Sequence, residues 1–141
     1  MNLSILIGLA LKSDEVVEVL ECHDVSVIYD FDRLRENSPD VYWASSLTTG
    51  FEFRFNDRQV LCTIFMYALP RDNFCAIDPI HAGIPFYSTF VEAKAALQGV
   101  PTRTSTEGQR WIKGNFGDHW VHYEFNSDGA LALVTVIAAD A

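Results

Sequence analysis

Phe51-Glu52-Phe53-Arg54-Phe55 alternates ring and charge without a break, and this period of two is the strongest constraint in the chain. Successive side chains of a β-strand point to opposite faces, so the three phenylalanines line one face and Glu52 and Arg54 the other. Asn56-Asp57-Arg58 then supplies turn residues, and 60–68 is apolar on both sides (Leu61, Ile64, Phe65, Met66), as a central strand would be. The pattern predicts a hairpin with one face committed to a core. A lone hairpin cannot bury three Phe rings, so the fold needs more strands and a covering layer.

The flanking sequence supplies both. Ser13 is an N-cap candidate before Asp14 and Glu15, and Val16, Val17 and Leu20 fall at helical spacing, which predicts a short helix ending near His23-Asp24. Residues 25–31 and 41–45 read as strands on either side of a polar loop whose Asn37-Ser38-Pro39-Asp40 is a strong turn signal. Ahead of them, the apolar stretch 1–11 lacks a basic start and a small-x-small cleavage site, so it reads as a buried strand or turn; it is too short to span a bilayer.

After a connector at 70–85, with Pro70, Pro79 and Pro85, the plan restarts. Thr89-x-x-Glu92 fits a capping box for a helix through 91–97, with Gly99 and Pro101 as stop signals. A polar loop (102–109) and strands at 110–115, 120–125 and 130–138 follow, the last two joined by Asn126-Ser127-Asp128-Gly129. Gly8 and Ser13 correspond to Gly83 and Ser88, Phe53-Arg54-Phe55-Asn56 to Tyr123-Glu124-Phe125-Asn126, and Trp43 to Trp111. The expected architecture is therefore α+β: two tandem repeats, each a helix plus antiparallel strands, forming one sheet with both helices on one face. The halves are 1–69 and 86–141, joined by 70–85 into a single compact domain.

The run Gly83-Ile84-Pro85-Phe86-x-Ser88, continuing through Glu92-Ala93, Leu97, Gly99 and Pro101 into a Trp strand and a Tyr-Glu-Phe-Asn hairpin, carries a resemblance. It is similar to the bacterial helix-plus-hairpin module of SmpA-type and β-lactamase-inhibitory-protein-like folds. In tandem, the module resembles small bacterial proteins, many of them immunity partners of toxins. The resemblance covers nearly the whole chain, implies a fold and a binding role, and brings no catalytic residue with it.

Composition narrows the function classes. The chain is 49% apolar, with ten Phe, five Tyr and three Trp, which excludes a disordered segment and predicts rings left over at the surface. A net charge of −9, from 19 acids and 10 bases, disfavours nucleic acid and anionic membrane and favours a basic partner. Cys22, Cys62 and Cys75 are odd in number and lack metal-type spacing, so they read as reduced core residues of a cytoplasmic protein.

Catalytic constellations are weak. His119 and His122 are three apart on a strand and face opposite sides; no Cys-x-x-Cys, His-Glu-x-x-His or phosphate loop occurs, so neither metal nor cofactor is expected. Cys62 lies in the most apolar strand, while Cys75 in the connector, with His81 as a conceivable base, is the better thiol candidate, without a third partner or oxyanion motif. The expectation is a non-enzyme. If the phenylalanines face the helices, Trp120, His122, Glu124 and Glu52 share the open face with Trp111, while Asp30 and Asp32 supply steering charge. The leading reading is an immunity protein that neutralises a basic toxin domain by direct binding. The runner-up is an intracellular small-molecule-binding or scaffold domain, and an exposed edge strand leaves room for a homodimer.

Overall fold

The structure, a computed structural model, describes residues 2–23, 25–30 and 39–140. They form one eight-stranded antiparallel sheet and two α-helices, α1 (Asp14–Cys22) and α2 (Phe90–Ala96). The strands are β1 (Ser26–Asp30), β2 (Val41–Ser46), β3 (Phe51–Phe55), β4 (Leu61–Tyr67), β5 (Thr102–Thr104), β6 (Trp111–Asn115), β7 (His119–Phe125) and β8 (Leu131–Ala138). Their spatial order is β1-β2-β3-β4-β8-β7-β6-β5, so β4 and β8 join the two four-strand groups at the centre.

Seven strands lie within a residue or two of their predicted positions. The eighth, β5, falls inside 102–109, which reads as loop. All three of its residues are exposed, and its one sheet neighbour is β6, so no apolar alternation marks it in the sequence. The N-terminal stretch forms a single 3-10 turn, Leu3–Leu6, with Leu3 and Leu6 buried.

The alternation in β3 does what its period demands: Phe51, Phe53 and Phe55 are fully buried, and Glu52 and Arg54 are half-buried on the opposite side. The inner face continues through Ile64 and Met66 of β4, Val134 and Val136 of β8, Val121 and Tyr123 of β7 and Ile112 of β6. Val16 and Val19 of α1 and Phe90 and Ala93 of α2 belong to the same cluster. Removing each of the Val, Ile, Met and Phe side chains from water contributes about 1.5–3 kcal/mol. The apolar character of β4 on both sides also finds its reason. Phe65 and Tyr67 face outward and pack with Leu133 and Phe74 in a second, smaller cluster.

Both helix starts differ in detail from the expected caps. Ser13 sits at the N-cap of α1, but its hydroxyl donates to the Ala10 carbonyl at 2.7 Å and caps no helical N–H. Thr89 caps α2 by accepting from the Glu92 N–H at 3.2 Å. The Glu92 carboxylate closes on Ser88, accepting from its N–H at 3.2 Å and its hydroxyl at 3.0 Å, one residue earlier than a standard capping box.

The connector is more ordered than its prolines suggest. Asp72 and Asn73 both have positive φ (51° and 70°), making a tight turn that bridges Arg71 to Phe74, and Phe74 stacks on Tyr67 with ring centroids 4.3 Å apart. Cys75 then runs so close to Gly50 that any Cβ there would collide with the Cys75 carbonyl; with φ at +95°, Gly50 is required twice over. The expectation of three core cysteines is corrected. All three are free, and Cys62 is buried, but Cys22 and Cys75 are exposed, because one lies in the last turn of α1 and the other on this surface-hugging connector.

Candidate functional site

The outer face of the sheet is assembled by strand register. One cross-strand row runs Ile28, Trp43, Arg54, Thr63, Ile137, Trp120, Asn115. The next runs Ser45, Glu52, Phe65, Thr135, His122, Lys113, Arg103. A third places Tyr67, Leu133, Glu124 and Trp111 together. Thr63 and Thr135 lie buried beneath their larger, half-exposed neighbours.

Four of the predicted residues meet at one corner. Trp111 stacks on His122 at 5.3 Å, Glu124 is the cross-strand partner of Trp111, and Trp120 lies on the same face of β7. Glu52 shares the His122 row but sits three strands away, about 14 Å at the usual strand spacing. Asp30 is on β1, the far edge of the sheet, and does not join the corner. Asp32 lies outside the described residues.

The corner also holds cations that the sequence reading left out. The Lys113 ammonium lies 4.8 Å from the centre of the Trp120 ring and 6.0 Å from that of Trp111, and the Arg103 guanidinium lies 5.9 Å from Trp120. These are cation–π distances. The signal was present: Lys113 is two residues from Trp111 on one strand, hence on its face. Arg103 was illegible because β5 was. Across the sheet, Trp43 stacks on Phe65 at 6.4 Å, and this aromatic pair was also missed.

Glu52 and Glu124 on this face are engaged. Glu52 accepts from the Ser45 hydroxyl at 2.6 Å, and Glu124 pairs with Arg71 at 3.1 Å, with both partners of that pair partly exposed. Burial holds the His122 imidazole below its ordinary pKa, with Glu124 opposing the shift and Lys113 reinforcing it. His122 is therefore neutral at pH 7 and presents an apolar ring face to Trp111.

Elsewhere the chemistry is sparse. The Cys62 thiol donates to the Arg54 carbonyl at 3.2 Å and accepts from the Arg54 guanidinium at 3.3 Å. Among the described residues, neither Cys62 nor Cys75 hydrogen-bonds to a histidine, and no group of three or more His, Cys, Asp or Glu side chains is placed to hold a metal ion. His23 and His81 stand edge to face at 5.9 Å, and His23 is hydrogen-bonded to Thr49, so the pair lacks a third ligand. No described helix is long and apolar enough to cross a membrane.

No family model, curated protein or solved structure matches the chain.

Proposed function

We propose that the chain is a non-catalytic binding protein that neutralises a partner protein one to one through the outer face of its sheet, in the manner of an immunity protein against a toxin domain. The observation that carries this reading is the corner of Trp111, Trp120, His122 and Lys113: large, half-exposed rings held rigid on paired strands, with charged neighbours. Rings on strands lose little entropy on binding, and tryptophan is among the residues that dominate interface energy.

The matching hairpins and the strand order support the finer architectural reading as well: two repeated halves, with both helices covering the inner face. In such an arrangement the outer face is the one surface that no helix needs. The net charge of −9, with Asp14, Glu15, Glu18 and Glu21 exposed on α1, favours a partner that is basic overall. Affinity capture with the folded protein, against the products of the genes encoded beside it, tests the role. The expected result is a stable 1:1 complex that Trp111→Ala or Trp120→Ala weakens at least tenfold. Neighbouring products that all fail to bind would sink it.

One observation favours a second reading, a small-molecule-binding domain. A groove of about 530 Å³ between α2 and β5, lined by Phe90, Val91, Leu97, Val100 and Thr102, has the volume of a ligand pocket. Native mass spectrometry of the purified protein separates the two: retained ligand mass with no protein partner supports the pocket.

A further inference from the structure

The β5–β6–β7 corner of the outer face has the opposite polarity to the chain that carries it: Arg103, Lys113 and Arg71 against Glu124. Of the ten basic residues in a chain of net charge −9, Arg54, Arg103 and Lys113 stand on this face, and Arg71 reaches it from the connector. Of the face's carboxylates, Glu124 beside the corner is paired with Arg71, and Glu52, which accepts from the Ser45 hydroxyl, stands three strands away. Asp30, at the β1 edge, is six strand positions from Lys113. Among the described residues, neither Lys113 nor Arg103 makes a salt bridge. Their neighbours are the faces of Trp111 and Trp120.

Screening makes this local sign decisive at contact. At physiological ionic strength the Debye length is about 8 Å, so an approaching group feels the charges beside it and little of the acidic helix beyond the sheet. A cation over an indole is held in place while keeping its hydrogen-bond donors, which Lys113 offers as three N–H and Arg103 as a fork. The chemistry that fits is a carboxylate carried on an apolar stem: the oxygens meet the cations and the stem lies along the rings.

Resting on the reading of the outer face as the binding surface, we infer that the β5–β6–β7 corner, Arg103, Trp111, Lys113, Trp120 and His122, is the anchoring site for an acidic segment of the partner protein. A partner that is basic overall but presents Asp or Glu side chains at its contact surface satisfies both charge patterns. Neutral His122 contributes a ring face and no competing charge.

The test is a titration of the folded, isotope-labelled protein with a hexaglutamate peptide, read at the indole N–H resonances of the three tryptophans. The expected result is that Trp111 and Trp120 shift and Trp43 does not, with the affinity falling at least tenfold in Lys113→Glu/Arg103→Glu. The milder Lys113→Gln/Arg103→Gln pair, at half-exposed and exposed positions, gives an intermediate loss and guards against misfolding. Hexaglutamate that leaves Trp111 and Trp120 unmoved overturns the inference, as does hexalysine that shifts them. An oligothymidylate that binds the corner more tightly than hexaglutamate overturns it too, in favour of nucleic acid. Failure here with a captured protein partner in hand leaves the binding role standing; a capture that finds no partner leaves this titration unaffected.

Discussion

At the β3–β4 turn the Asn56 side chain accepts the N–H groups of Arg58 and Val60; at the β7–β8 turn Asn126 accepts those of Asp128 and Ala130. Each hairpin also shifts register at the same point, between Arg54 and Phe55 in one and between Glu124 and Phe125 in the other. Inside the sheet the match continues, with Phe53 fully buried where the second hairpin has the buried Tyr123. Outside it breaks down. Arg54 stands where the other has Glu124, Glu52 where it has His122, and both positions face outward. The backbone and the inner side chains answer to turn chemistry and burial, which are the same for both hairpins. The outer side chains answer to neither, so the differences between the hairpins collect on the face proposed to bind.

The inner half of that comparison predicts the largest effect. Phe53→Ala removes a fully buried ring, and the cavity destabilises the fold by about 3–5 kcal/mol. The matched change, Tyr123→Phe, keeps the ring and loses only the hydroxyl that donates to the Pro85 carbonyl at 3.0 Å, at a cost of about 1 kcal/mol. Urea unfolding of both variants reads the difference. A Tyr123→Phe loss as large as that of Phe53→Ala would overturn this division between ring and hydroxyl.

The turns come next. Asn56→Ala and Asn126→Ala each delete two hydrogen bonds to backbone N–H groups at exposed turns where water partly replaces them, so each is expected to cost about 1 kcal/mol. The same loss at both sites, within a few tenths, is the outcome that a shared turn geometry demands. Denaturant midpoints of the two single variants check it.

These turns also show how far the sequence could be read. Asn56 and Asn126 announce their hairpins because asparagine bonds its own backbone two residues on, and Phe51-Glu52-Phe53 announces its strand because burial on one face has a period of two. Thr102-Arg103-Thr104 announces nothing, since an edge strand exposed along its length needs no apolar residue. The candidate site was legible where a tryptophan sat on a recognised strand and illegible where its neighbour came from elsewhere in the chain. Trp120 could be named, but the cations beside it needed β5 to be seen and the register of β6 to be known. The distance of Asp30 from the corner was illegible for the same reason, because it is a matter of strand order, which the alternation of a single strand does not encode.

A smaller effect separates the two turns. Gln59 is held at φ 60°, a left-handed conformation that strains an L-residue, whereas the second hairpin has Gly129 at φ 81°. Gln59→Gly is expected to stabilise the fold by about 0.5–1 kcal/mol, and Gly129→Ala to destabilise it by about 1 kcal/mol. Thermal unfolding of the pair should show shifts of opposite sign. A destabilising Gln59→Gly would mean that the Gln59 side chain, which reaches toward the Tyr42 hydroxyl at 3.4 Å, contributes more than the strain costs.

The smallest effect belongs to the outer face and depends on pH. His122 has its pKa lowered from the ordinary 6.5, chiefly by burial, so the folded state takes up a proton less readily than the unfolded chain. Its contribution to stability is therefore complete above pH 6.5 and is lost as the pH falls from there toward the lower folded value. His23, lowered by burial and by the nearby His81, behaves in the same direction. Stability measured between pH 7.5 and 5 should decline below 6.5, and His122→Gln should remove part of that slope while leaving the part due to His23. At low pH His122 becomes a cation beside Lys113. If the inferred anchoring of acidic groups holds, hexaglutamate affinity at the corner should rise over the same interval, by an amount that His122→Gln abolishes.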